Sequence, residues 1–236
     1  MIKIAIVTLG HIKHRLDTSR LTKWKSEIFQ ITDVDSIRDL PDRELDWQLF
    51  ADHELEFINP SSEADITIAI TEYALEDNFY LRRLDNNITV LSLYQTADAC
   101  EWNDIPLENF ILRNIYELCA ILKLERRIPS TTDRIPDIIH DDTRSCIFDM
   151  CGIKTDIIYS ASQPGLCNQC RARLSSSQIT SGFLNNLEKE LRKIRKPLYY
   201  RITGFIKTHP LWTIAITIGA GLVTNMASSF LYDLLT

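Results

Sequence analysis

At 236 residues, with 45% of them hydrophobic and 25% charged, the chain has the make-up of a globular protein holding enough apolar material for one good core and an appendage. Its formal net charge of −6 excludes a general basic surface for collecting nucleic-acid phosphates. That charge is uneven: between Lys189 and Lys207, seven Lys/Arg (Lys189, Arg192, Lys193, Arg195, Lys196, Arg201, Lys207) stand against Glu190 alone, so an acidic body precedes a basic tail.

In chain order, Ile2 to Leu9 is an apolar, β-branched run closed by Gly10, which predicts a first strand and its turn. The run is too short for a secretory signal, and no small-residue cleavage site follows. A helix is expected from about Ser19 to Phe29, and the acid- and apolar-rich stretch from Asp42 to Glu56 also reads as helix. Ala64 to Thr71 and Asn87 to Leu93 are two further strands, both too apolar for solvent on two faces. Strands alternating with helices predict an α/β mixed sheet. The strongest helix follows: Asp104 can cap it, Pro106 suits its first turn, and Phe110, Ile111, Ile115, Leu118, Cys119 and Leu122 recur at helical spacing until Arg126 and Arg127. Cys100 and Cys119 sit in apolar surroundings and read as core thiols.

Four of the six cysteines then fall in one run, Cys146-x4-Cys151-x15-Cys167-x2-Cys170. Two close thiol pairs joined by a loop can converge on a tetrahedral metal, so Cys146, Cys151, Cys167 and Cys170 are the expected ligands of a structural Zn2+. A closed four-thiolate sphere leaves no position for water, and metal binding there is folding free energy. Disulfides would need an oxidising compartment. A redox role for Cys167 and Cys170 alone would leave Cys146 and Cys151 unexplained. Arg144 and Asp149 flank Cys146 as groups able to bond the thiolates or the loop backbone. His140, with Asp141 and Asp142 beside it, reads as an exposed loop histidine, its alternative being metal binding or acid–base work. His11, His14 and His53 are similarly isolated in sequence.

The helix Leu112-Arg113-Asn114-Ile115-Tyr116-Glu117-Leu118-Cys119-Ala120-Ile121-Leu122-Lys123-Leu124, together with Cys-x4-Cys and the later Cys-x-x-Cys-Arg with Leu174, resembles the archaemetzincins, small metallopeptidases whose zinc helix carries HELGHxLGLxHC. The resemblance spans about Met1 to Leu174, with the cysteine pattern its most specific part. It implies a small metallopeptidase-like mixed sheet with helices and a structural zinc loop of four cysteines. It also implies a second, catalytic zinc held by three histidines beside a glutamate base. Aligned on Glu117, those histidines are replaced by Tyr116, Ala120 and Arg126, and the helix-ending glycine by Lys123. A catalytic zinc then has no imidazole ligands, and peptidase activity is not expected. The alternative is a residual metal-dependent hydrolase using Glu117 or His140.

Beyond Leu174, Ser175-Ser176-Ser177-Gln178 reads as a linker. Ile179, Phe183, Leu184, Leu187, Leu191 and Ile194 then form one stripe of a basic amphipathic helix ended by Pro197. Such a helix can lie on anionic membrane lipid, pair with its copy, or pack back on the domain. From Pro210 to Tyr232 no residue is charged, and about 22 helical residues span about 33 Å, close to a hydrocarbon core. Trp212 and Tyr232 sit near its ends and the Lys/Arg residues lie on its N-terminal side, which predicts a single transmembrane anchor with the N-terminal part in the cytoplasm; with Thr213, Thr217, Thr224, Asn225, Ser228 and Ser229 in the segment, the alternative is a buried terminal helix. Rows of small residues (Ala215 and Gly219; Ala220, Thr224 and Ser228) favour self-association in the bilayer. The expected organisation is therefore a zinc-stabilised domain over 1–174, a linker and amphipathic helix over 175–209, and a membrane helix over 210–232. The expected role is that of a catalytically inactive sensor or adaptor at the membrane, in its most specific form a membrane-acting stress or anti-phage effector.

Overall fold

The computed structural model describes residues 1–40 and 49–235. Its chain divides into a unit spanning Met1–Arg195 and a second spanning Lys196–Thr236.

The first unit is mixed α/β. Strands β1 (Ile2–Leu9), β2 (Phe29–Ile37), β4 (Ile66–Thr71) and β7 (Ile88–Ser92) run parallel in the order β2-β1-β4-β7, and β6 (Leu81–Arg83) pairs antiparallel at the β7 edge. Two short strands, β3 (Leu49–Phe50) and β5 (Ala74–Leu75), form a separate parallel pair. The three expected strands are the sheet's centre. Every residue of β4 and β7 is buried, and strands covered on both faces need the unbroken apolar runs seen in the sequence. Alternation sorts them: Ile4, Ile6, Ile66, Ile68, Ile70 and Leu91 enter the main core, whereas Leu9, Ala69, Ile88 and Val90 enter a smaller one with Phe50, Leu55 and Ile58.

The main core is completed by helices α1 (Thr18–Thr22), α2 (Thr96–Trp102), α3 (Leu107–Glu125), α4 (Ile157–Ser162), α5 (Asn168–Ser176) and α6 (Ser181–Leu191). Helix α3 has Pro106, rather than the expected Asp104, at its N-cap with no side-chain capping bond, and it ends where expected, at Arg126 in the left-handed region, φ 65°. The helix expected from Ser19 to Phe29 is only the short α1. The Ser26 hydroxyl accepts from the amides of Ile28 and Phe29 at 2.9 and 3.2 Å, a local turn that competes with helix, and Phe29 opens β2 opposite Ile2. Of the helix expected over 42–56, residues 42–48 lie outside the described residues. The described remainder is β3 and a 3-10 turn over Asp52–Leu55.

The amphipathic stripe beyond Leu174 packs back on the domain. Leu187, Leu191 and Ile194 are at most 1% exposed, and the Glu190 carboxylate accepts from Ser26 Oγ at 2.6 Å, Glu27 N at 2.7 Å and Tyr116 Oη at 2.8 Å. The compact unit therefore runs to Arg195, past Leu174.

The second unit consists of α7 (Leu198–Thr208) and α8 (Pro210–Leu235). Within α8, Pro210–Ser229 is long and apolar enough to cross a membrane, with mean hydropathy 1.4 and none of it buried.

Candidate metal centre

Between α3 and α5 the chain runs, apart from the short α4, as loops held by a few backbone bonds, and these bonds assemble the site. The segment after α3 is pinned to the β6 edge by Thr131 N to Arg83 O, 2.7 Å, and Arg83 N to Thr131 Oγ1, 2.9 Å. His140 then pairs with the turn that follows Cys146: its amide donates to Phe148 O at 3.1 Å, and Met150 N donates to His140 O at 2.9 Å. Cys146 is bridged to the chain leading into α5, since Ile147 N donates to Gly165 O and Gly165 N to Ser145 O, both at 3.0 Å. Cys167 caps α5, its Sγ accepting from Cys170 N at 3.4 Å. Both thiols of the Cys-x-x-Cys pair thus sit at the N-terminal turn of α5.

Four side chains converge there. One ligand atom from each of His140, Cys146, Cys167 and Cys170 lies within 4.8 Å of every other, and this set could hold a metal ion. His140 Nε2 is 3.6 Å from Cys167 Sγ. Its Nδ1 faces away, 3.0 Å from Asp142 O and 3.6 Å from Asp149 Oδ1, so Nε2 is the nitrogen free to ligate. The Asp149 carboxylate is buried and accepts from the amides of Arg144 and Cys146, both at 2.9 Å. Asp149 thereby fixes the Cys146 turn, while the Asp142 carbonyl holds the second nitrogen of the imidazole, as metal-ligand histidines require. Arg144 reaches Gln169 at 3.0 Å and lies 3.9 Å from Cys167 Sγ.

The electrostatics favour thiolate at one sulfur. The Cys170 thiol's hydrogen bond pulls Cys146 down to about 5; the Cys167 and Phe148 amides and His140 add to it, against burial. The same pairing holds Cys170 up in the thiol form, with burial adding to it. Burial opposes a charged His140, but Cys146, Asp149 and Cys167 outweigh it and raise its affinity for a proton.

The structure brings together three of the four expected cysteines and puts His140 where Cys151 was expected. Cys151 is only 3% exposed, takes a left-handed φ of 50°, and lies in the field of Arg113, Asp149 and Glu117. Burial pushes its thiol up to about 12, the opposite of a ligand's need. His140 is not a solvent loop residue either: its side chain is 15% exposed. Spacing alone could have suggested it, since His140-x5-Cys146 is as close as many ligand pairs.

The helix positions aligned with a peptidase site are built differently. Tyr116 is fully buried and bonds Glu190 and Trp24 Nε1, each at 2.8 Å. Ala120 is buried, and Arg126 is an exposed C-cap. Glu117 is 3% exposed and pairs one turn back with Arg113. Arg113, fully buried, also donates to Asn114 Oδ1 at 2.8 Å, Asp149 O at 2.9 Å and Ser160 Oγ at 3.2 Å. Sequence reasoning passed over Arg113, although an arginine amid apolar helix neighbours is a sign of a buried partner. His14 is also placed in company: Nδ1 lies 3.0 Å from Glu72 and Nε2 3.3 Å from Asp98.

In comparison with known proteins, the chain matches no family model, no curated protein and no solved structure.

Proposed function

We propose that this chain is a catalytically inactive sensor or adaptor, folded around a structural zinc through His140, Cys146, Cys167 and Cys170 and fixed to the membrane by α8. The observation that carries the reading is α8 itself: an apolar span of 20 residues, none of it buried, in a chain whose first unit has a core of its own. In water such a surface is unstable, and a bilayer is the solvent that suits it. The donor set supports zinc, because three sulfurs and one imidazole are a common closed tetrahedral combination. Sulfurs bound at about 2.3 Å stand about 3.8 Å apart, within the spread of the four ligand atoms. A closed shell stabilises a fold and activates no water. On this reading the archaemetzincin-like features, α3 and the cysteine run, serve as scaffold. Tyr116, Ala120 and Arg126 leave Glu117 without imidazoles around it, and the first unit faces the cytoplasm, on the side of the Lys/Arg-rich stretch.

The test is fractionation of the full chain together with elemental analysis. Membrane residence through carbonate washing, release by detergent, and one zinc per chain are expected. Recovery in the carbonate supernatant would remove the anchor from the proposal; two metals per chain would return a hydrolase to consideration.

A further inference from the structure

A cavity of about 70 Å³ opens beside α3, lined mainly by apolar side chains, with Tyr80 and Thr131 and two charged residues, Arg83 and Glu117. Phe79, Leu81, Ile139 and Met150 form its walls, and Ile135, 53% exposed, stands on its rim. At about 10–15 Å³ per water, it has room for about five waters, or a ligand group of similar size.

The two charged residues are both more than nine-tenths buried, Arg83 at 7% and Glu117 at 3% exposure. Glu117 Oε2 accepts from Arg113, while its Oε1 has no hydrogen-bond partner among the described residues. Arg83 uses Nε on Pro129 O at 3.0 Å, and its two Nη groups have no partner among them. No ion pair joins Arg83 to Glu117 among the described residues, although both border the same space. Both residues are largely buried, yet these atoms are not among the sealed, unpartnered ones, so they face space that water or a ligand can reach and hydrogen-bond.

We infer that this cavity binds a small neutral molecule or group with an adjacent hydrogen-bond acceptor and donor on an apolar body, a carboxamide or lactam. Its carbonyl accepts from Arg83 Nη and its N–H donates to Glu117 Oε1. A carboxylate would meet Arg83 but repel Glu117, and an ammonium would meet Glu117 but repel Arg83. A neutral amide satisfies both, and its alkyl part replaces water on the apolar walls.

The site also has a route to the metal centre. Arg113 links Glu117 to the Asp149 carbonyl, and the Asp149 side chain holds the Cys146 turn. Ile139 and Met150, both in the cavity wall, adjoin His140 and Asp149 in the chain. This inference extends the sensor reading by naming what is sensed, and it is tested by binding alone, so its failure and that of the membrane anchor are separately visible.

The chain's three methionines allow a direct test, because Met150 lines the cavity and Met1 and Met226 do not. Full-length protein in detergent, labelled with ¹³C-methyl methionine, is titrated with isobutyramide, isobutyrate and isobutylamine. The titration runs into the millimolar range, because a ligand this small makes few contacts. Isobutyramide is expected to move the Met150 signal saturably, with Met1 and Met226 unmoved and with isobutyrate and isobutylamine at least tenfold weaker. Arg83→Leu and the rim variant Ile135→Trp, each checked for an unchanged melting midpoint, abolish the shift. No saturable Met150 shift, an equal response to isobutyrate or isobutylamine, or a shift surviving in Ile135→Trp overturns the assignment.

Discussion

At the residue scale, the metal centre turns on which of two side chains completes it. His140 offers Nε2 to the three thiols, while Cys151 is held with a raised pKa among Arg113 and Glu117. Cys151→Ser is therefore expected to retain one zinc per chain, and His140→Ala to lose it or bind it at least a hundredfold more weakly, as measured by elemental analysis after dialysis against a chelator. Metal lost from Cys151→Ser and kept in His140→Ala would restore the four-cysteine set. Asp149→Asn leaves the ligands in place and is expected to weaken zinc by about 10–100-fold, the usual effect of removing a group that orients a ligand. His14 gives a pH prediction. Its burial disfavours the charged ring, yet Glu72 and then Asp98 outweigh burial and raise its pKa above the ordinary 6.5. A folded-state pKa raised in this way stabilises the protein fully below about pH 6.5, and the gain is lost as pH rises through the higher folded value. His14→Gln should thus lower the melting midpoint at pH 6 and not at pH 8.5. With the ring 24% exposed, the contribution is below about 1 kcal/mol, or at most about 3 °C. A gap of equal size at both pH values would refute the linkage.

At the element scale, α6 belongs to the first unit. Its Leu187 and Leu191, with Ile194 just beyond it, are buried, and Glu190 closes a network with Ser26, Glu27 and Tyr116. At about 1.5–3 kcal/mol per buried aliphatic side chain, those three supply about 5–9 kcal/mol, comparable to a whole domain's stability of about 5–15. A chain ending at Leu174 is expected to be insoluble or to melt without cooperativity, whereas one ending at Arg195 melts in a single transition; calorimetry or circular dichroism on the two distinguishes them, and equal stability would refute the packing argument. The sequence made some of this readable and hid the rest for physical reasons. Strands β1, β4 and β7 were legible because burial on both faces writes a continuous apolar run. Strand β2 was not: it is an edge strand whose Asp33, Asp35 and Ser36 are solvent-facing, so no apolar run marks it. The stripe of α6 was legible as a stripe, but the surface it covers depends on Ser26 and Tyr116, which lie 164 and 74 residues from Glu190 in the chain. Three of the four side chains of the candidate metal site were visible in the cysteine spacing. The fourth was hidden because Cys151 completes the same pattern, and only the left-handed turn at Cys151 and the backbone pairing of His140 with Phe148 and Met150 decide between them.

At the scale of the whole molecule, the question is whether α8 is a membrane span or a helix that would be content in water. A buried core helix of this composition would be covered by its own protein; here Pro210–Ser229 is exposed throughout, with Ile214, Ile216, Ile218 and Leu222 each more than half exposed. At about 1.5 Å per residue its 20 residues measure about 30 Å, the thickness of a hydrocarbon core. These facts make one substitution decisive. An arginine at Ile218, near the middle of the span and 60% exposed, is expected to leave the first unit's stability unchanged. In a bilayer the same arginine costs about 2.5–3.5 kcal/mol in insertion relative to an uncharged residue, about a hundredfold in partition between membrane and water. Ile218→Arg is therefore expected to move a large share of the protein from the carbonate-resistant membrane pellet to the soluble fraction, while the melting midpoint of the Met1–Arg195 unit stays within error. Ile218→Leu, which keeps the hydropathy, should leave the distribution as it is. A chain whose membrane fraction ignores Ile218→Arg would be held by something other than α8, and a midpoint that falls with the arginine would mean that α8 packs on protein. The same preparation reports the side. With the first unit on the cytoplasmic face, as the Lys/Arg of 189–207 favour, protease added to inside-out vesicles removes it without detergent. In right-side-out vesicles the unit survives until detergent is added.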